Sequence, residues 1–115
     1  MASVEIRAGK DVAKSRHIMR TVLLAQKCNP TVVARSAAVM SILTESVVQH
    51  NVTLRIDFTV IWNFDKRIVE LDCDMPLNNT TAINVAEIEK LLMKTVNDIQ
   101  IRYPTNHLKI ILRLW

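Results

Sequence analysis

The chain has 115 residues, half of them apolar, which suits one domain whose core needs no disulfide or metal staple. Gly9 is its single glycine, and phosphate-cradling loops and dinucleotide fingerprints each need several, so both are excluded. The formal net charge is +4 with no basic run longer than Lys66-Arg67, so a nucleic-acid partner is allowed but not demanded.

In chain order, "SVEIRA" alternates, with Val4 and Ile6 on one face and Glu5 and Arg7 on the other, and predicts a short strand that Gly9 closes. Asp11 is expected to cap a helix running to about Lys27. Val12, Ser15, Met19, Val22 and Leu23, with Ile18 beside them, form its apolar stripe. Lys14, Arg16, His17, Arg20 and Lys27 form its wet side. Asn29 before Pro30 breaks the helix. Thr31 is expected to open a second one to Gln49, apolar almost all round and therefore central.

"VTLRIDFTVIW" then alternates, Leu54, Ile56, Phe58 and Val60 against Arg55, Asp57 and Thr59. "NFDKR" turns the chain. "RIVELDCDM" alternates again, Ile68, Glu70, Asp72 and Asp74 against Val69, Leu71 and Cys73, so the two runs predict a hairpin. "PLNNTTAIN" is a loop. Asn84 with Glu87 resembles a capping box, and the helix it opens is expected to reach about Asp98 on a stripe of Val85, Ile88, Leu92, Val96 and Ile99. "LKIILRLW" is the closing strand. The order is β-α-α-β-β-α-β. It predicts a single α+β domain over residues 1–115, a two-layer α/β sandwich with one mixed sheet and helices on one face.

Several side chains have two readings. Cys28 and Cys73 lack companion ligands and read as small buried hydrophobes. His17, His50 and His107 have no partners at ligand spacing, so no metal site is expected. Asp57, Asp72 and Asp74 are an acid pair in one reading and the wet face of a strand in the other. Trp62 and Trp115 are interface anchors if exposed and core edges if packed. No apolar run approaches the roughly 18 residues of a membrane span, and the N-terminal stretch lacks the apolar core of a signal peptide. A cytoplasmic setting is the expectation.

The chain resembles the anti-sigma-factor and switch-serine-kinase branch of the GHKL (Bergerat) ATPase fold, known from bacterial partner-switching systems. "DVAKSRHIMRTVLLAQKCNPT" is similar to the first helix of that branch, and "ARSAAVMSILTESVV" to its second. "IVELDCDMPL" resembles the strand that ends in its D-x-G-x-G box, and "EIEKLLMKTVNDIQI" with "LKIILRLW" its last helix and strand. In that family the second helix supplies a Glu as general base and, four residues on, an Asn that holds Mg²⁺. Matching Ser41 and Leu43 to the family pattern puts Ile42 at the Glu position and Ser46 at the Asn position, and an isoleucine cannot take a proton. A second register gives Glu45 and Gln49 the same spacing, with Asp72 or Asp74 as the acid that contacts adenine.

"DCDMPL" lacks the two glycines of the family box, and "LNNTTAIN" is too short for the glycine-bearing ATP lid. The resemblance therefore implies a fold whose ATPase chemistry is lost. It implies a protein-binding regulatory module without cofactor that docks an antagonist-type domain or a sigma-like factor through Lys14, Arg16 and Arg20 on the first helix. The alternatives are an active ATP- and Mg²⁺-dependent serine kinase using Glu45 and Gln49, and a small basic module that binds RNA through aromatics on its sheet. A sheet edge or the apolar "IILRLW" end could also pair two copies.

Overall fold

The computed structural model describes residues 2–6, 10–49, 53–76, 85–104 and 106–115. The elements are β1 (Ala2–Ile6), α1 (Lys10–Ala25), α2 (Pro30–Gln49), β2 (Leu54–Asn63), β3 (Lys66–Pro76), α3 (Val85–Leu92), β4 (Asp98–Arg102) and β5 (His107–Leu114). The strands form one five-stranded sheet in the order β1-β2-β3-β5-β4. Gly9 and Asn84, expected to close a strand and to cap a helix, lie outside the described residues, as does most of the expected loop before α3.

The α+β class and the two layers are as the pattern predicts. The mixed sheet is not: every pairing is antiparallel. One strand causes the difference. The third helix stops at Leu92 instead of Asp98, and residues 98–102 form β4. A single helical crossover from β3 to a closing strand would have laid two neighbours parallel. Instead α3 carries the chain to the far edge, β4 runs there, and β5 returns between β4 and β3, antiparallel to both. β5 is thus an inner strand, so "IILRLW" offers no free edge, and the sheet's edges are β1 and β4.

Alternation decides which face is covered. Leu54, Ile56 and Phe58 of β2, Val69, Leu71, Cys73 and Met75 of β3, and Leu108, Ile110, Leu112 and Leu114 of β5 are all buried in one cluster with the helices. The register sets them side by side, Phe58 against Leu71 and Leu71 against Leu112. Met19 and Leu23 enter this core from α1, Val39, Met40 and Leu43 from α2, and Ile88 and Leu92 from α3. Both cysteines are buried, and burial pushes both thiols up, Cys73 the further. Among the described residues no helix is long and apolar enough to cross a membrane.

The α1–α2 junction is built by capping in a chain with almost no glycine. Lys27 takes the left-handed position, with φ 60°. Its N–H donates to the Leu24 carbonyl (3.0 Å) and that of Cys28 to Leu23 (3.1 Å), the bond pair of a Schellman motif. Buried Cys28 and Leu23 supply the apolar contact that accompanies it. The second helix opens at Pro30, one residue before the expected start at Thr31. Asn29 is its cap, since Asn29 Oδ1 accepts from the Thr31 N–H at 2.9 Å, and Pro30 fits the first helical position where no donor is needed. Similarly, α1 starts at Lys10, so Asp11 lies inside the first turn and is not the cap.

Candidate functional site

On α1 the apolar positions Ser15, Met19 and Leu23 face the core, and this turns Lys14, Arg16, His17 and Arg20 to solvent. All four are exposed. Arg16 Nη1 donates to Ser41 Oγ at 3.2 Å and thereby ties α1 to α2. Among the described residues Lys14 and Arg20 form no ion pair, so their charge is open to a partner. The helix presents exposed Leu24 one turn beyond Arg20. The second helix is less covered than its composition implied, since Ala34 and Ala38 are also exposed.

Glu45 is exposed on α2, in the helical layer. Gln49 is the last residue of that helix, and its side chain is outside the described set. Asp72 and Asp74 do not join them. They alternate with the inward-facing Cys73 and Met75, so they stand on the opposite face of the sheet. Arg16 and Arg20 lie one turn apart on one flank of α1 and Lys14 on another, all three exposed, while Glu45 is separated from both aspartates.

The uncovered sheet face is a charge ladder. Arg113 Nε meets Glu70 Oε2 at 3.2 Å, Lys109 Nζ meets Asp72 Oδ2 at 3.8 Å, and Arg55 Nε meets Asp57 Oδ1 at 3.4 Å. His107 Nδ1 lies 3.1 Å from Asp74 Oδ1. The register sets Asp57 directly opposite Asp72. Desolvation raises the pKa of Asp72, Lys109 opposes the rise, and Asp57, Asp74 and Glu70 add to it. The Oδ1 of Asp72 is buried and without a hydrogen-bond partner. These acids are the wet face of amphipathic strands, braced by cations on neighbouring positions. Phe58 points into the core instead, so this face carries no stacking platform from that residue. Among the described residues no group of three His, Cys, Asp or Glu could hold a metal ion.

The other end of the sheet differs. Lys27, Arg35, Lys66, Arg67 and Trp115 line a cavity of about 620 Å³ between the start of α2, the β2–β3 turn and the end of β5, with Asp65 as its one acidic side chain. Arg67 Cζ lies 3.4 Å from the centroid of the Trp62 ring, and Lys66 Nζ 4.9 Å from that of Trp115. Arg35 holds the cavity's back wall: it donates to the carbonyls of Thr95 (2.9 Å) and Trp115 (3.0 Å) and to Asn97 Oδ1 (2.7 Å). Sequence reading named Trp62, Trp115 and the Lys66-Arg67 pair separately. Nothing in their spacing shows that the end of α1 and the start of α2 would join them.

No protein-family model matches the chain, and no curated protein does either.

Proposed function

We propose that this domain is a non-catalytic, GHKL-like docking module, cytoplasmic and of the partner-switching kind, which binds an acidic surface on a protein partner through the outer face of α1. One observation carries the reading: Arg16 and Arg20 stand one turn apart, exposed, with Leu24 a turn beyond them, on a helix whose apolar side is locked into the core, and Lys14 adds an exposed charge on another flank. A rigid helix loses little conformational freedom on docking, and its exposed cations speed encounter with an acidic partner. The partner's chemistry follows from the face: carboxylates for the arginines and an apolar contact beside Leu24. Switching would come from two acidic surfaces competing for this single helix.

The placement of Asp72 and Asp74 across the sheet from Glu45 weighs against the serine-kinase alternative. The self-paired acids of the open sheet face weigh against RNA binding there.

The test starts from a partner captured from extract, then purified and titrated against the wild-type domain and the Arg16→Glu, Arg20→Glu double variant. Both positions are exposed and the one bond lost, Arg16 to Ser41, is at the surface, so the variant is expected to keep its circular dichroism spectrum and to lose no more than about 4 °C in Tm. Affinity is expected to drop by at least about tenfold, mostly through a slower association rate that also loses its salt dependence. Unchanged affinity in a folded double variant would remove α1 as the docking face.

A further inference from the structure

We infer that the cavity at the turn end of the sheet binds the phosphate and base of a nucleotide, either free or as one unit of a single strand. This site is separate from the α1 face and does not depend on the docking proposal.

Charge balance comes first. The open sheet face largely neutralises itself: Asp57, Glu70 and Asp72 each stand beside an arginine or lysine, and Asp74 beside His107. The cavity does not. Four cationic side chains line it against Asp65 alone, and among the described residues Lys27, Lys66 and Arg67 form no ion pair. The buried Nε of Arg67 has no hydrogen-bond partner. Arg35 is held by its three acceptors, so Lys27, Lys66 and Arg67, which have no ion pair among the described residues, are the groups an anion would meet.

The aromatic side chains come second. Trp62, Phe64 and Trp115 gather at this end and are 56%, 97% and 39% exposed. Cations already lie over both tryptophan rings, an arrangement that holds positive charge beside a stacking surface. Cationic side chains interleaved with exposed rings are what a nucleotide requires: point charges for the phosphate and a flat apolar face for the base. A carboxylate-rich peptide would use only the cations. The cavity's volume falls within the roughly 300–1,000 Å³ common to small-molecule sites.

Phe64 is the third observation. The β2–β3 turn has two central residues, Phe64 and Asp65, between the paired Asn63 and Lys66. Phe64 has φ 57° while Asp65 has no positive φ, which is the II′ pattern that prefers glycine at its first position. A bulky aromatic there is unfavourable to the backbone, and its near-complete exposure gains nothing from the core. Folding does not explain this residue. Phe64 does not line the cavity, but it is the neighbour of the lining Asp65 and offers an exposed ring beside the cavity's mouth for a base that projects from it.

Trp115 lines the cavity and Trp62, the chain's other tryptophan, stacks on the lining Arg67, so intrinsic fluorescence reads the site. The probes are AMP, UMP, oligo-uridylates of two lengths, inorganic phosphate and poly-glutamate, in buffer of low ionic strength without Mg²⁺. Quenching by nucleotide is expected, with affinity at least about tenfold lower in Lys66→Glu and unchanged in Arg20→Glu. For the oligonucleotide, Lys27→Ala is expected to lower the slope of log affinity against log salt by about 0.7. Phe64→Gly fits the turn better, so it stays folded. It is expected to weaken nucleotide binding while leaving inorganic phosphate binding unchanged. Affinity that rises with oligonucleotide length assigns the site to a strand; equal affinity for UMP assigns it to free nucleotides. No quenching by any nucleotide, equal affinity for poly-glutamate, or indifference to Lys66→Glu would each overturn the proposal.

Discussion

At the scale of single residues, a near absence of glycine has consequences that can be measured. Lys27 and Phe64 hold left-handed backbone positions that an L-residue with a Cβ occupies at a cost of roughly 1–2 kcal/mol. Glycine relieves that cost but adds chain entropy to the unfolded state, so Lys27→Gly is expected to stabilise by about 0.5–1 kcal/mol. Urea unfolding checks this, and Asn106→Gly is its control. Asn106 also has positive φ (58°), but asparagine tolerates that region, so the change there is expected to be close to zero. Asp72 gives the second residue-scale prediction. Its carboxyl is raised from 3.8 by desolvation first and by Asp57, Asp74 and Glu70 after that. A raised acid keeps its proton longer in the folded state than in the unfolded one, so stability is lost as pH climbs through 3.8 and beyond. The pair with Lys109, at 3.8 Å and partly exposed, is too long to offset this. Asp72→Asn removes the directly opposed like charges and is expected to gain about 0.5 kcal/mol at pH 7. The gain should vanish below pH 3.8, where the wild-type carboxyl is protonated as well. Denaturant curves at pH 7 and pH 3 decide it; an equal gain at both would trace the effect to packing and not to charge.

At the scale of elements, Arg35 fastens α2 to the far half of the sheet. Its guanidinium reaches Thr95, Asn97 and Trp115, and Asn97 Oδ1 also accepts the Trp115 N–H at 3.0 Å. Arg35→Ala takes the guanidinium from all three acceptors, of which Asn97 Oδ1 keeps the Trp115 N–H and the part-buried Thr95 carbonyl loses most, and is expected to cost about 1–2 kcal/mol. Arg35→Lys is expected to cost nearly as much, because an ammonium lacks the planar fork that serves three acceptors at once. Amide exchange across residues 95–102 reads this out, since β4 is a short edge strand that this clasp helps to hold. That strand is also where sequence reading failed. Ile88, Leu92, Val96 and Ile99 keep helical spacing, so the stripe ran on through the helix's end. The competing signal was Ile99 and Ile101 alternating with polar residues over only five positions, too few to outweigh the longer period. The hairpin of β2 and β3 was legible because its two long runs alternate without interruption and meet at a short turn. The exposure of Lys14, Arg16 and Arg20 was legible for a similar reason: one helix with a regular apolar stripe carries them. The cavity draws its side chains from three distant segments, and only the tertiary fold shows that they meet.

At the scale of the whole molecule, the sheet separates the groups that an ATPase would have to bring together. A general base on α2 and an acid for the adenine amino group must reach one nucleotide from the same side. Glu45 lies in the helical layer, while Asp72 and Asp74 face away from that layer across the sheet. Side-chain rotation cannot carry a carboxylate through a buried layer that contains Cys73 and Met75 at 0% and 1% exposure. A ligand at 100 times its Kd adds about 2.7 kcal/mol, which raises the Tm of a domain this size by several degrees. The expectation is that Mg²⁺ adds nothing to any stabilisation by ATP, and that Glu45→Ala and Gln49→Ala leave it unchanged. A Tm rise that survives both variants and chelation of Mg²⁺, but disappears in Lys66→Glu, belongs to the cationic cavity at the turn end. A rise that requires Mg²⁺ and disappears with Glu45 or Gln49 would revive the serine kinase and remove the non-catalytic reading. The two nucleotide sites use different residues at different places in the fold, so one thermal series with three variants separates them.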